Sequence, residues 1–206
     1  MTLPQYVIIV GIDYSEASER ALAEAFELAH AKHGVRLHIA NVRTEPEVLP
    51  PELGQLTAPT PATPWRYWAS ELQEFVARKE AEFQVAAGVS PFNHLHTHQR
   101  MGDPAHELAQ LASDLEADLL VVGSHDWHRA PQRLLGSVTE AVTRLAPCPV
   151  LVVRRKAVSP PSPTIQPPCA ACIAARRASG GSKLWCNDHS ERDGRRRPDQ
   201  QGMWRA

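Results

Sequence analysis

From Val121 to Arg154 the chain reads VVGSHDWHRAPQRLLGSVTEAVTRLAPCPVLVVR, and this stretch restricts the fold more than any other. An apolar run ends at Gly123, a loop follows, Gly136-Ser137 opens an amphipathic segment, and a second apolar run closes the unit. That is the pattern of a strand, a crossover helix and a second, parallel strand. The first backbone N–H groups of such a helix lack partners within it, and its dipole favours negative charge there. The loop between Gly123 and Gly136 is therefore a candidate phosphate cradle.

The preceding residues repeat the alternation. Tyr6 to Ile12 is continuously apolar and β-branched, as a strand buried on both faces must be. Ser15 can cap a first helix whose inward face is Ala21, Leu22, Ala25, Leu28 and Ala29, and Gly34 ends it before a second strand, Val35 to Val42. Glu45 to Pro64 carries Pro46, Pro50, Pro51, Pro59, Pro61 and Pro64, which predicts a long surface loop. A second helix is expected from about Trp65 to Ala87, with Leu72, Phe75, Val76 and Phe83 inward. The polar alternation of Phe92 to Arg100 predicts a half-exposed edge strand.

Asp103-Pro104 then starts a third helix that buries Leu108, Leu111, Ala112 and Leu115. Leu119 to Gly123 is the fourth strand. Ser137 to Leu145 is a fourth helix with Val138, Ala141, Val142 and Leu145 inward, and Val150 to Val153 the fifth strand. Five strands alternating with helices predict an α/β fold, a parallel sheet with helices on both faces. Ligands of such sheets sit beyond the strand C-termini, where the strand order reverses.

These residues resemble the universal stress protein family. Its nucleotide-binding members carry G-x2-G-x9-G-[ST] between the fourth strand and fourth helix; here the positions are Gly123, Asp126 and Gly136-Ser137. VGIDYSE, from Val10 to Glu16, and APCPVLVV, from Ala146 to Val153, also look like the family's segments. The resemblance implies strand order 3-2-1-4-5 and an adenine nucleotide, AMP, ADP or ATP, at the reversal point. It places Asp13 on the adenine or ribose edge and the backbone of Val42 against adenine. Val122 and Gly123 would run beneath the ribose and phosphates, with Gly136, Ser137 and Val138 around the phosphate tail. It also implies a homodimer through pairing of the fifth strand with its twofold mate.

Two residues complicate that site. Ser137-x-x-Glu140 is also a capping box, so the Ser137 hydroxyl either meets a ligand or satisfies its own helix. Asp126 puts a carboxylate where the motif has glycine; at about 4 Å and a dielectric near 20, repulsion from each phosphate charge is roughly 4 kcal/mol. AMP or ADP is therefore favoured over ATP, with Arg129, Arg133, His125 and His128 available to offset the charge. Ser124-His125-Asp126 is no catalytic triad, because triad members converge from separate segments. No Walker lysine motif is present, so a non-catalytic module is expected, with a nucleotide-free scaffold or interaction protein that signals through its C-terminal cysteine tail, or slow ATP hydrolysis, as alternatives.

The net charge of −1 gives the whole molecule no pull toward nucleic acid or membrane. No apolar run approaches the length of a membrane span. The start, MTLPQYVIIVGID, lacks a basic region and cleavage site, which leaves the cytoplasm as the expected location.

The composition shifts near Arg155, predicting a domain over residues 1–156, a proline-rich linker over 157–168 and a basic tail over 169–206. The tail carries Cys169-x2-Cys172-x13-Cys186-x2-His189, two chelating knuckles with the form of a Cys3His zinc site. Gly180-Gly181 supplies a turn between the halves, and Trp185 can cover the metal. A redox CxxC pair is the alternative chemistry, but it normally opens a helix of a thioredoxin-like unit, which is missing here. The tail's basic residues, Arg176, Arg177, Lys183, Arg192, Arg195, Arg196, Arg197 and Arg205, offer a route to nucleic acid; without a recognition helix, a protein partner or a stabilising role is favoured. His94, His96 and His98 alternate along the third strand and are expected on one exposed face rather than around a metal.

Overall fold

The structure is a computed structural model that describes residues 6–32, 34–44, 63–124, 136–155 and 168–190. Five strands, β1 (Tyr6–Ile12), β2 (Val35–Arg43), β3 (Leu95–Met101), β4 (Leu119–Gly123) and β5 (Val150–Val153), form one sheet. Its order is β3-β2-β1-β4-β5, and every pairing is parallel. The connecting helices are α1 (Glu16–Ala31), α2 (Thr63–Ala87), α3 (Pro104–Asp114) and α4 (Ser137–Leu145). The chain divides into two compact units, residues 1–155 and residues 156–206.

The alternation of side chains along each strand sorts the core into two layers. Ile8, Val10, Leu37, Ile39 and Val121 face α1 and α2, where Leu22, Phe26, Leu72, Phe75 and Val76 are buried. Ile9, Ala40, Leu120 and Val122 face α3 and α4, against Leu108, Leu111, Ala112 and Val142. Each fully buried aliphatic or aromatic side chain contributes about 1.5–3 kcal/mol. Ser15 caps α1 by accepting from the N–H of Ser18, and Asp103 caps α3 by accepting from that of His106.

Three expectations need correction. Strand β3 starts at Leu95, so Phe92 and His94 lie outside it. The Phe92 ring stacks on Phe26 and Phe83, and its N–H donates to Glu80 Oε1 rather than to a strand. Helix α2 starts at Thr63, so Pro64 is helical; at the second residue its missing N–H is not needed. The expected proline-rich loop otherwise lies outside the described residues. In α4 the buried residues are Thr139 and Val142, whereas Val138 and Leu145 are 38% and 43% exposed. The helix turns its hydroxyl-bearing Thr139 to the sheet because that hydroxyl has a carbonyl to meet there.

Candidate functional site

The order reverses between β1 and β4: β1 connects through α1 to β2 on one side, while α3 delivers the chain to β4 on the other. A cleft of about 380 Å³ opens at that point, beyond the strand C-termini. Its floor is made of small or slender residues in register, Gly11 pairing with Ala40 on one side and Val122 on the other. Pro104 and Leu108 of α3 form one wall and Gly136 to Thr139 another.

Asp13, Val42, Val122, Gly123, Gly136, Ser137 and Val138 all line this cleft, although they come from four separate stretches of chain. Asp126 and the remainder of the loop between Ser124 and Gly136 lie outside the described residues. Asp13 is held in the turn between β1 and α1. Its Oδ1 accepts from Ser15 N at 3.0 Å and Ser15 Oγ at 2.5 Å, and its own N–H donates to Ser18 Oγ at 3.2 Å. The adjoining Tyr14 takes a left-handed backbone (φ 62°), which is costly for a bulky residue and is fixed by an edge-on contact with Phe75 at 5.0 Å. Behind Val42, the buried Asn41 donates to the Ile12 carbonyl at 2.9 Å and accepts from Gln99 at 2.9 Å, tying together the ends of β1, β2 and β3.

The start of α4 resolves the ambiguity over Ser137. Gly136 occupies the N-cap and Ser137 the first helical position, so the capping box does not form. Glycine offers no capping oxygen, and the helix N-terminus carries no side-chain cap. Its first N–H groups border the cleft with the Ser137 hydroxyl beside them, an arrangement suited to an anion. No lysine or arginine lies among the described lining residues, so the backbone supplies the positive potential there.

Gly123 also has a packing reason to be glycine. A Cβ at this position would stand 2.3 Å from the Ala17 carbonyl oxygen and 2.8 Å from Ser18 N. The glycine therefore lets β4 pack against the first turn of α1, and the cleft gains its shape from that approach. Sequence reasoning also missed Thr139, Gly11 and Ala40. Their available signal was size and polarity: two small residues at neighbouring strand ends, and a hydroxyl on the sheet-facing stripe of a helix.

A different cluster lies where β2 pairs with β3. His38 Nδ1 and His98 Nε2 are 2.8 Å apart, and the His38 ring stacks on His96 and His98 with centroids 4.9 and 5.1 Å away. Burial, then the neighbouring His98, His96 and Arg36, lower the His38 pKa to about 4. Burial and then Arg100 lower that of His98.

In the second unit, α5 (Ala170–Ala178) and α6 (Asn187–Ser190) bring Cys169, Cys172, Cys186 and His189 together, with their ligand atoms all within 4.8 Å of one another. The three thiols are free, as is that of Cys148 in the first unit. Gly180 (φ 57°) and Gly181 (φ 91°) end α5 with their N–H groups donating to the Arg177 and Arg176 carbonyls. This pair of bonds reverses the chain toward Cys186. Trp185 is covered on one face by the Arg176 guanidinium, 5.4 Å from the ring centroid.

Fold and cleft together define a parallel α/β domain with a crevice at its topological switch point, beside a helix start that carries no side-chain cap. The sequence profile of the universal stress protein family matches residues 7–154. The chain is 31% identical over 159 residues to the universal stress protein YxiE of Bacillus subtilis, a match covering 71% of this chain and 97% of that protein. A universal stress protein of Thermus aquaticus is 31% identical over 150 residues, covering 71% and 97%. The solved structure of the universal stress protein UspA from Lactobacillus plantarum has 26% identity and a TM-score of 0.53, covering 74% of this chain and 100% of that one. The chain belongs to the universal stress protein family, and the Cys/His unit lies beyond the matched residues.

Proposed function

We propose that the family domain binds an adenine nucleotide in the cleft between β1 and β4 and acts as a non-catalytic sensing module in stress adaptation. One observation carries this reading: seven residues singled out by the family resemblance line a single cleft, and the α4 N-terminus beside them lacks a side-chain cap. Asp13 takes the adenine or ribose edge, Val42 flanks the base, and Gly136 to Val138 receive the phosphate. AMP or ADP is favoured over ATP, because Asp13 is the one charged group among the described lining residues and the motif's second glycine is Asp126. The same shortage of cations supports the runner-up reading, a nucleotide-free scaffold.

The reading extends to assembly. The outer position of β5 in the sheet and its half-buried apolar residues support a homodimer paired through that strand. Among the described residues no helix is long and apolar enough to cross a membrane. In the second unit, Cys169, Cys172, Cys186 and His189 are read as zinc ligands.

Native mass spectrometry of the purified chain tests nucleotide, metal and subunit number together. A bound adenine nucleotide, or one acquired on adding AMP, supports the sensing reading. An empty cleft with no thermal shift at millimolar AMP supports the scaffold. Sustained ATP turnover lost in Ser137→Ala would replace both with an enzyme.

A further inference from the structure

The ligand atoms in the second unit are spaced as the corners of a metal tetrahedron. Cys186 Sγ lies 3.7 Å from Cys172 Sγ and 4.0 Å from Cys169 Sγ. His189 Nδ1 lies 3.4, 3.3 and 3.3 Å from the sulfurs of Cys169, Cys172 and Cys186. A tetrahedral zinc with ordinary Zn–S and Zn–N lengths needs S···S edges of about 3.8 Å and S···N edges of about 3.5 Å. The sulfurs are too far apart for disulfides, whose S–S distance is about 2.05 Å. A redox CxxC pair would involve Cys169 and Cys172 alone and would leave the convergence of Cys186 and His189 without a cause.

The surrounding backbone is organised around the sulfurs. Cys172 N–H donates to Cys169 Sγ at 3.3 Å, and Cys186 N–H donates to Cys172 Sγ at 3.4 Å. Such bonds spread the charge of metal-bound thiolates. Nothing else in residues 168–190 resembles a core. Cys172 is the one buried residue described there, while Ile173 and Leu184 are 36% and 57% exposed. A segment with so little apolar burial cannot offset its chain entropy without a cross-link of another kind.

We propose that residues 168–190 are a closed structural zinc centre, ligated by three thiolates and His189 Nδ1, and that metal loading and the folding of this segment are one event. The proposal rests on the zinc reading above and deepens it. Four protein ligands fill the tetrahedron, so no position remains for substrate water, and the metal serves structure rather than catalysis. The family domain has its own two-layer core and does not depend on the metal.

The test is hydrogen exchange by NMR on the full-length chain under reducing conditions, before and after removal of metal with a chelator, and after addition of zinc alone. The expected result is one zinc per chain, protected amides in 170–178 that lose protection on chelation and regain it with zinc, and no change in β1 to β5. Nitrogen shifts of His189 should report ligation through Nδ1. Cobalt should give thiolate charge-transfer bands that vanish in Cys186→Ser and persist in Cys148→Ser. One bound zinc with 170–178 still protected after chelation would overturn the coupling while leaving the zinc reading intact. Ligation through His189 Nε2 would overturn the assigned geometry. No bound zinc and no cobalt bands in the reduced protein would overturn the zinc reading itself.

Discussion

The Thr139 hydroxyl donates to the Gly123 carbonyl at 3.1 Å, so the last residue of β4 is tied to the first turn of the helix that follows. The bond spans the motif loop and fixes the distance between the cleft's floor and its α4 wall. Thr139→Val keeps the shape of the side chain and removes only the donor. The expected cost is about 1 kcal/mol of stability. Affinity for AMP should fall by roughly threefold to tenfold, since the two walls are no longer held in register. Thermal denaturation and calorimetric titration of the same variant separate the two effects.

Gly123→Ala probes the other side of that strand end. Its methyl group would meet the Ala17 carbonyl at 2.3 Å, a backbone atom that cannot move away alone. The expected destabilisation is about 1–3 kcal/mol. The melting temperature should drop by about 2–4 °C for each kcal/mol. A variant as stable as the parent would show that α1 can shift freely at its first turn.

Acid should weaken the β2–β3 edge. His38 is held neutral in the fold, with a pKa of about 4 against an ordinary 6.5. Between those values the unfolded chain binds the extra proton, so stability is complete above about pH 6.5 and declines as the pH falls toward 4. The groups around His38 include Arg36, His96 and His98, with Arg100 beside His98, and Arg100 is itself paired with Glu107 and Asp114. The pH-dependent loss should be about 1–2 kcal/mol after solvent screening. His38→Gln should flatten the profile of urea midpoint against pH over that window; an unchanged slope would remove the histidines from the explanation.

Asp126→Gly restores the motif's glycine. Relief of charge repulsion should tighten ADP more than AMP, by about tenfold for each 1.4 kcal/mol recovered. Equal affinities in parent and variant, measured by calorimetry at low salt, would mean that this carboxylate does not face the phosphates.

Periodicity revealed the sheet because both faces are buried: runs such as VIIVGI and LLVVG have no other use. It failed where one side chain had a private reason. Phe92 reads as strand but stacks in an aromatic cluster, and Val138 reads as core but lines the cleft wall. The site's lining was legible at Gly136, which the motif marks, and at Asp13, which the VGIDYSE segment marks. It was not legible at Gly11, Ala40 or Thr139, whose roles depend on register and on a carbonyl brought from another segment. The cysteine spacing announced the cluster, but the histidine atom facing the sulfurs is fixed only in three dimensions.

The most direct test of the nucleotide cleft is amide NMR of the full-length chain titrated with AMP. Shifts confined to Gly11–Asp13, Val42–Arg43, Val122–Ser124 and Gly136–Thr139 are expected. Saturating AMP that leaves those amides unmoved, or moves a different set, would contradict the account.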